Sequence, residues 1–350
     1  VEERGTRQLE FAARDVDRTE LGWMCEHSEI VCALWDVLET MDTVALRLGD
    51  TVQAVAADGE QVVVTLDAGA LTARLLIGAD GNQSSVRAAL GVAVSEQATG
   101  HHALATVIRT EADHGGVAWQ RFLLDGPLAV LPSYDPRLAS VVWSQSAAEA
   151  ERRVGQDAAD FCVELTEQME RRLGRVEAVD RRLVFPVSQM LAQSFNPRPR
   201  VLLIGDAARA IHPLAGLGAN VGFEDVRELV AVTEKLGGGT DIGAHGLWAS
   251  FASQRRARAQ MMLALMNGLR RIYAAPDPLT GWLRNVGVDW LDHSAQLKRQ
   301  FIMEAMGQGT LGQSVGSLGH NLDALSHTFA PVGQALGPLA QSVGRFLRPR

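Results

Sequence analysis

The segment "RVLLIGDAARAIHPLAGLGANVGFEDV", from Arg200 to Val226, constrains this chain more than any other. Its apolar opening, Arg200 to Gly205, reads as a buried strand. That strand delivers Asp206 to its carboxyl end, where open α/β sheets hold their ligands and where a carboxylate accepts hydrogen bonds from ribose hydroxyls. A loop with Pro213, Gly216, Leu217 and Gly218 follows. Its glycines let the backbone come flat against a planar ligand without side-chain obstruction. A helix then begins near Ala219 and Asn220 and runs to Leu236. Its unpaired N–H groups and positive dipole end face the loop, where they favour negative charge. The plainer alternative is a loop that only packs, but strand, acid, proline, glycines and helix start all agree over one short stretch.

A second segment, "GADGNQSSVR" from Gly78 to Arg87, has the same logic on a smaller scale. A strand over Leu71 to Ile77 ends at Gly78 and places Asp80 at its carboxyl end. Gly81 permits a tight turn, and Ser84 caps a short helix to Leu90 that Gly91 stops. Arg87, one turn inside that helix, can pair with Asp80. An ordinary strand–turn–helix with a surface ion pair fits these residues equally well, because short glycine motifs are weak signals.

Around these segments the chain reads as α/β. Glu29 to Thr40 is a helix with Ile30, Leu34, Val37 and Leu38 on one face, and Gln61 to Asp67 alternates as a strand. From His101 the texture changes to apolar runs separated by Gly, Asp and Pro, the pattern of an antiparallel sheet inserted into the α/β core. Ala147 to Leu173 reads as one helix, Arg181 to Pro186 as a strand, and Trp248 to Ala274 and Leu279 to Met306 as helices. The organisation expected is a core in two parts, 1–100 and 187–240, a β-sheet substrate domain over 101–186, a helical region over 241–306 and a Gly-rich tail over 307–350.

A net charge of −8 argues against nucleic acid as the main ligand, and makes the basic run Arg255 to Arg258 a solvated helix face. Cys25, Cys32 and Cys162 form no metal-type cluster, and their odd number fits a reducing cytoplasm. Cys25 and Cys32 read as small buried hydrophobes. No apolar run is long enough to span a bilayer. Val1 to Arg7 is charged and no apolar core follows, so no signal peptide is read there.

Both glycine-containing segments resemble those of the flavoprotein aromatic hydroxylases of the p-hydroxybenzoate hydroxylase type, and the closest resemblance is to the ubiquinone-biosynthesis hydroxylases. Thr19 to Trp35 and the stretch "GLRRIYAAPDPLTGWLRNVGVDWLDHSAQLKRQFIMEAMG" also look like that group. The resemblance implies FAD held by Gly205, Asp206, Pro213, Gly216, Leu217, Gly218, Ala219 and Asn220, with Asp80, Gly81 and Arg87 in a motif shared between FAD and NAD(P)H. It implies NAD(P)H and dioxygen as co-substrates, and as substrate a phenol with a lipid tail. Phe185 and Pro186 resemble the family's substrate-side segment, and core packing is their alternative. His212, beside the flavin loop, could touch substrate and is the one catalytic candidate, against a loop histidine bonding locally.

The sequence departs from the family in several places. The family opens with a strand–GxGxxG–helix that holds the FAD pyrophosphate, and this sequence starts downstream of such an element. Arg209 stands where the family has a histidine, Gly216-Leu217-Gly218 where it has GQG, and Ser28 and Val31 where it carries Arg and Gln near FAD. The expectation is a Rossmann-like core, N-terminally incomplete, with weak or no FAD binding by this chain. The alternatives are a non-catalytic assembly subunit of the same pathway, or an FAD hydroxylase of another soluble aromatic. In the tail, Leu311, Val315, Leu318, Leu322, Leu325, Phe329, Val332, Leu336, Leu339, Val343 and Phe346 form an apolar seam interrupted by Pro331 and Pro338. Short amphipathic pieces over 311–346, with Arg345, Arg348 and Arg350 at their end, would meet a membrane surface or a multi-enzyme complex, placing a cytoplasmic protein at the inner membrane.

Overall fold

The computed structural model describes residues 9–123, 125–211, 216, 218–244, 246–274 and 294–306. A 3-10 turn (Ala13–Val16) and helix α1 (His27–Glu39) lead into a three-stranded antiparallel sheet of β1 (Val52–Ala57), β2 (Val62–Leu66) and β3 (Gly69–Ala73). Strand β4 (Leu76–Gly78) and helix α2 (Ser85–Ala89) follow. The expected strand Leu71–Ile77 is therefore two strands in two sheets. Leu71 pairs antiparallel with Val64, whereas Leu76 pairs parallel with Val201. The chain changes sheets at Arg74, whose carbonyl accepts a hydrogen bond from Arg200 Nη1 at 3.0 Å.

The large sheet is built from β5 (Val94–Thr110), β6 (Trp119–Leu123), β7 (Gly126–Pro132), β8 (Leu138–Ser146), β9 (Val176–Val179), β10 (Leu183–Ala192) and β12 (Arg209–Ala210). Its main path runs β12-β10-β5-β8-β7-β6, with β9 also on β5. Helices α3 (Ala147–Gly155) and α4 (Ala158–Gln168) lie between β8 and β9 in sequence. One helix was expected there. The break falls at Asp157, which caps α4 by accepting the Ala159 N–H at 2.8 Å. Successive side chains in a strand face opposite ways. Leu104, Ile108, Leu128, Val130, Val141 and Trp143 accordingly share one face and pack with Phe161, Leu165 and Met169. The opposite face is partly open to solvent: Val107 is 37% exposed, Leu183 50% and Phe185 45%, and Leu183 and Phe185 stand opposite Ala105 and Ala103.

Strand β11 (Val201–Leu203) is the hub of the α/β core. It pairs in parallel with β4 through Val201↔Leu76, Leu202↔Ile77 and Leu203↔Gly78, and all three of its residues are fully buried. Continuous apolar strands of this kind are covered on both faces. Val201 packs with Val62 and Val64 of the small sheet. Leu203 packs with Val86, Phe195, Ala208, Ala252 and Ala259, and Leu202 with Ile204, Trp248 and Phe251. These contacts draw in helices α5 (Gly205–Ala208), α6 (Gly218–Thr233) and α7 (Ala249–Ala274), while α8 (Ala295–Ala305) meets the 3-10 turn through an Arg299–Asp17 ion pair of 2.8 Å. Gly78 is required where β4, β11 and α2 converge: a Cβ there would stand 2.8 Å from Leu203 Cδ2 and 3.0 Å from Val86 Cγ1.

One further sequence expectation needs correction. Cys25 and Cys32 are exposed, not buried. The apolar stripe of α1 exists, but none of the helix's residues is buried, and Leu34 and Val37 are more than half exposed. No helix among the described residues is long and apolar enough to cross a membrane.

Candidate functional site

The parallel register of β4 with β11 brings two strand ends, and the two acids that follow them, side by side. Asp80 is fully engaged there. Its Oδ1 accepts the Ser84 hydroxyl at 2.6 Å and its Oδ2 the Val86 N–H at 3.0 Å, while Ser84 Oγ accepts the Arg87 N–H at 2.9 Å. Asp80 thus braces the start of α2, and Gly81, with φ +79°, makes the turn between strand and helix. The expected Asp80–Arg87 pair is absent. With both Asp80 oxygens occupied, the Arg87 guanidinium reaches across instead: Nη1 donates to the Ala207 carbonyl at 2.9 Å and Nη2 to that of Asn82 at 2.5 Å. Arg87 therefore stitches the two glycine-containing motifs together.

Asp206 behaves differently. Its side chain reaches solvent, and it accepts no hydrogen bond from any described residue. The surrounding protein still removes part of its hydration, which raises the carboxyl pKa above the usual range, and the nearby Arg209 cation opposes that rise. Gly205, just before it, has φ +57°, a left-handed conformation that glycine adopts without strain. Added Cβ atoms at Gly81, Gly205, Gly216 and Gly218 would meet no protein atom within 4 Å. Helix α6 starts at Gly218, and Ala219 and Asn220 are exposed in its first turn. His212, Pro213 and Leu217 lie outside the described residues. Phe185 and Pro186 are exposed on β10, the strand whose Met190 and Leu191 pair with Ala210 and Arg209.

Behind this surface lies an ionic cluster that the sequence reading missed. Arg255 and Arg258 are 8% exposed, not on a solvated face. The cause is their partners, two adjacent buried acids on α6. Arg255 Nε lies 2.5 Å from Asp225 Oδ1 and its Nη2 3.0 Å from Glu224 Oε2, and Arg258 Nη2 lies 3.4 Å from Glu224 Oε1. Arg209, fully buried, pairs with Asp225 Oδ2 at 2.6 Å. Burial lowers the Arg209 pKa while Asp225 raises it. Acids on a helix with buried Val221 just before them, and arginines three apart on another helix, were the available signal, but their pairing is tertiary.

The donor set fits FAD. A partly desolvated carboxylate with no hydrogen-bond partner among the described residues suits ribityl or ribose hydroxyls, the exposed start of α6 suits an electron-rich ring, and no protein atom crowds the glycine positions. A family model described as "FAD binding domain" matches residues 19–265. The chain belongs to this FAD-binding domain family. It is 31% identical over 310 residues to the 3-demethoxyubiquinol 3-hydroxylase of Escherichia coli K12, covering 86% of this chain and 77% of that one. It is also 31% identical to the ubiquinone hydroxylase UbiL of Rhodospirillum rubrum, covering 83% of this chain and 68% of that one. Among solved structures, Klebsiella pneumoniae HpxO complexed with FAD and uric acid matches 82% of this chain and 72% of its own, with a TM-score of 0.62 at 17% identity, a likeness of fold.

Proposed function

We propose that this chain is an FAD-dependent monooxygenase that hydroxylates the ring of a polyprenylated phenol in ubiquinone biosynthesis, with NAD(P)H and dioxygen as co-substrates. The observation that carries the reading is the 31% identity with 3-demethoxyubiquinol 3-hydroxylase across 86% of the chain. The exposed carboxylate of Asp206, without a hydrogen-bond partner among the described residues, supports it. FAD, when bound, supplies the acceptance of hydride and the activation of dioxygen that no side chain can perform. The residues of the chain bind and orient. Asp206 would take the hydroxyls of the cofactor, and Gly205 and Gly216 to Asn220 would frame its ring system, with the N–H groups that open α6 favouring negative charge on it. The partly open face of the large sheet, with Val107, Leu183 and Phe185, offers an apolar wall on which an aromatic ring and its tail lose water. Peripheral contact with a membrane or a multi-enzyme complex through 311–346 belongs to the same reading, although those residues lie outside the described ones.

The test supplies FAD, NAD(P)H and a short-chain prenylated phenol under isotopically labelled dioxygen. Reductant oxidation stimulated by the phenol, with one labelled oxygen in the product, is expected. Product oxygen from water refutes a monooxygenase. A chain that binds FAD but never oxidises NAD(P)H would be the non-catalytic subunit. Co-sedimentation with liposomes, comparing the full chain with one ending at Gly307, tests the tail.

A further inference from the structure

The cluster behind the site does more than hold helices together. We propose that Asp225 is a positioning residue for the flavin: its buried carboxylate sets the separation between the Asp206 turn and the first turn of α6. The inference rests on the FAD reading above. Three segments converge on this one group. From the turn after β11, the Gly205 N–H donates to Oδ2 at 2.9 Å and Arg209 Nη1 donates to the same oxygen at 2.6 Å. From α7, Arg255 Nε donates to Oδ1 at 2.5 Å. The two arginines also close onto α6 itself, where the Val221 carbonyl accepts Arg209 Nη2 at 2.6 Å and Arg255 Nη2 at 3.3 Å. The backbones are correspondingly close: a Cβ on Gly222 would stand 3.7 Å from the Gly205 Cα.

The placement of these bonds decides what they do. Gly205 immediately precedes Asp206, and Val221 and Gly222 immediately follow the exposed Ala219 and Asn220. The two surfaces read as flavin contacts therefore have one shared anchor, within a residue or two of each. The Asp225 and Arg209 side chains are each 1% exposed. Bonds between buried ions are directional and intolerant of an unpaired partner, so they fix geometry more tightly than apolar packing does. Arg209 adds a cation 5.9 Å from the Phe195 ring, which ties the anchor to the core under β11. The buried Arg209 thus serves the anchor.

The experiment compares wild type, Asp225→Asn and Arg209→Lys as full chains. Asparagine keeps the shape of Asp225 but removes the charge that both arginines need. Lysine keeps the charge of Arg209 but can reach only one of the Asp225 carboxylate and the Val221 carbonyl. Arg256→Ala, a half-buried neighbour on α7, is the control. FAD affinity is read by quenching of flavin fluorescence, the environment of the ring by visible circular dichroism at saturating FAD, and the local backbone by hydrogen exchange without FAD. Asp225→Asn should weaken FAD binding at least tenfold and alter the visible dichroism of the flavin that still binds. Exchange should quicken at least tenfold in 201–210 and 218–228, while 101–110 stays as in wild type. Arg209→Lys should show the same changes at smaller amplitude with its near-ultraviolet dichroism retained, and it carries the test if Asp225→Asn does not fold. FAD affinity within twofold of wild type, or an unchanged flavin spectrum in both variants, overturns the positioning role. Failure of the wild-type chain to bind FAD overturns the reading beneath it, and with it this role.

Discussion

Arg87→Met separates a stitching arginine from a cofactor-contacting one. In the structure, Arg87 Nη1 is bonded to the carbonyl of Ala207, a residue with no solvent exposure, and Nη2 to that of the exposed Asn82. Methionine keeps most of the aliphatic stem and removes both bonds. Water can replace the bond to Asn82, so that loss costs little. The Ala207 carbonyl cannot be rehydrated without opening the core, and leaving a buried acceptor unpaired costs about 1–3 kcal/mol. Because Arg87 itself is half-buried, the middle of that range, about 2 kcal/mol, is expected for the FAD-free protein. Urea denaturation followed by the fluorescence of the seven tryptophans measures it directly. Arg87→Lys, able to reach one carbonyl, should recover part of the loss. A change of less than about 0.5 kcal/mol, the usual scatter of a surface substitution, would refute the stitch. If FAD affinity fell sharply while FAD-free stability did not, Arg87 would be acting on the cofactor directly.

Two predictions concern pH. Asp206 has a raised pKa because burial disfavours its charged form. The folded state therefore holds that proton more tightly than the unfolded chain, so ionisation destabilises the fold as pH rises above the ordinary carboxylate value. FAD-free Asp206→Asn should accordingly be more stable than wild type at neutral pH, an advantage that shrinks on acidification, yet bind FAD less well; a variant less stable at pH 7 would contradict this. Asp241 has the opposite sign. The Arg200 guanidinium, bonded to it at 2.6 and 2.8 Å, and the Gly243 N–H hold its pKa down to about 2. Its stabilising effect is present above the ordinary carboxylate value of 3.8 and lost as pH falls toward about 2. The stability difference between wild type and Asp241→Asn, followed by acid titration, should vanish across that window, and a difference that persists unchanged at the lower end would refute it.

What the sequence made legible is what local physics determines. The apolar run before Asp206 could only be a buried strand, and Ser84 with Gly91 bracketed α2 because caps and left-handed glycines are encoded within a few residues. Alternation exposed the inserted sheet, since the strand period survives in any half-buried strand. The misreadings have a common cause in long-range pairing. Leu71–Ile77 looks continuous, but its two halves answer to Val64 and Val201, partners far apart in the chain. Strand β1, "VQAVAA", is too rich in alanine to announce itself, and it is a strand because β2 lies beside it. The arginines of α7 look solvated because composition carries no record of the acids on α6 that neutralise them. The same distinction runs through the site. Asp206 was legible as the acid that follows a buried strand, a position that local pattern encodes. Asp225 was not, because everything it does depends on three segments that meet only in the folded chain. Strand ends and the acids that follow them can thus be read from local pattern, whereas the residues that hold them in place are read from the structure.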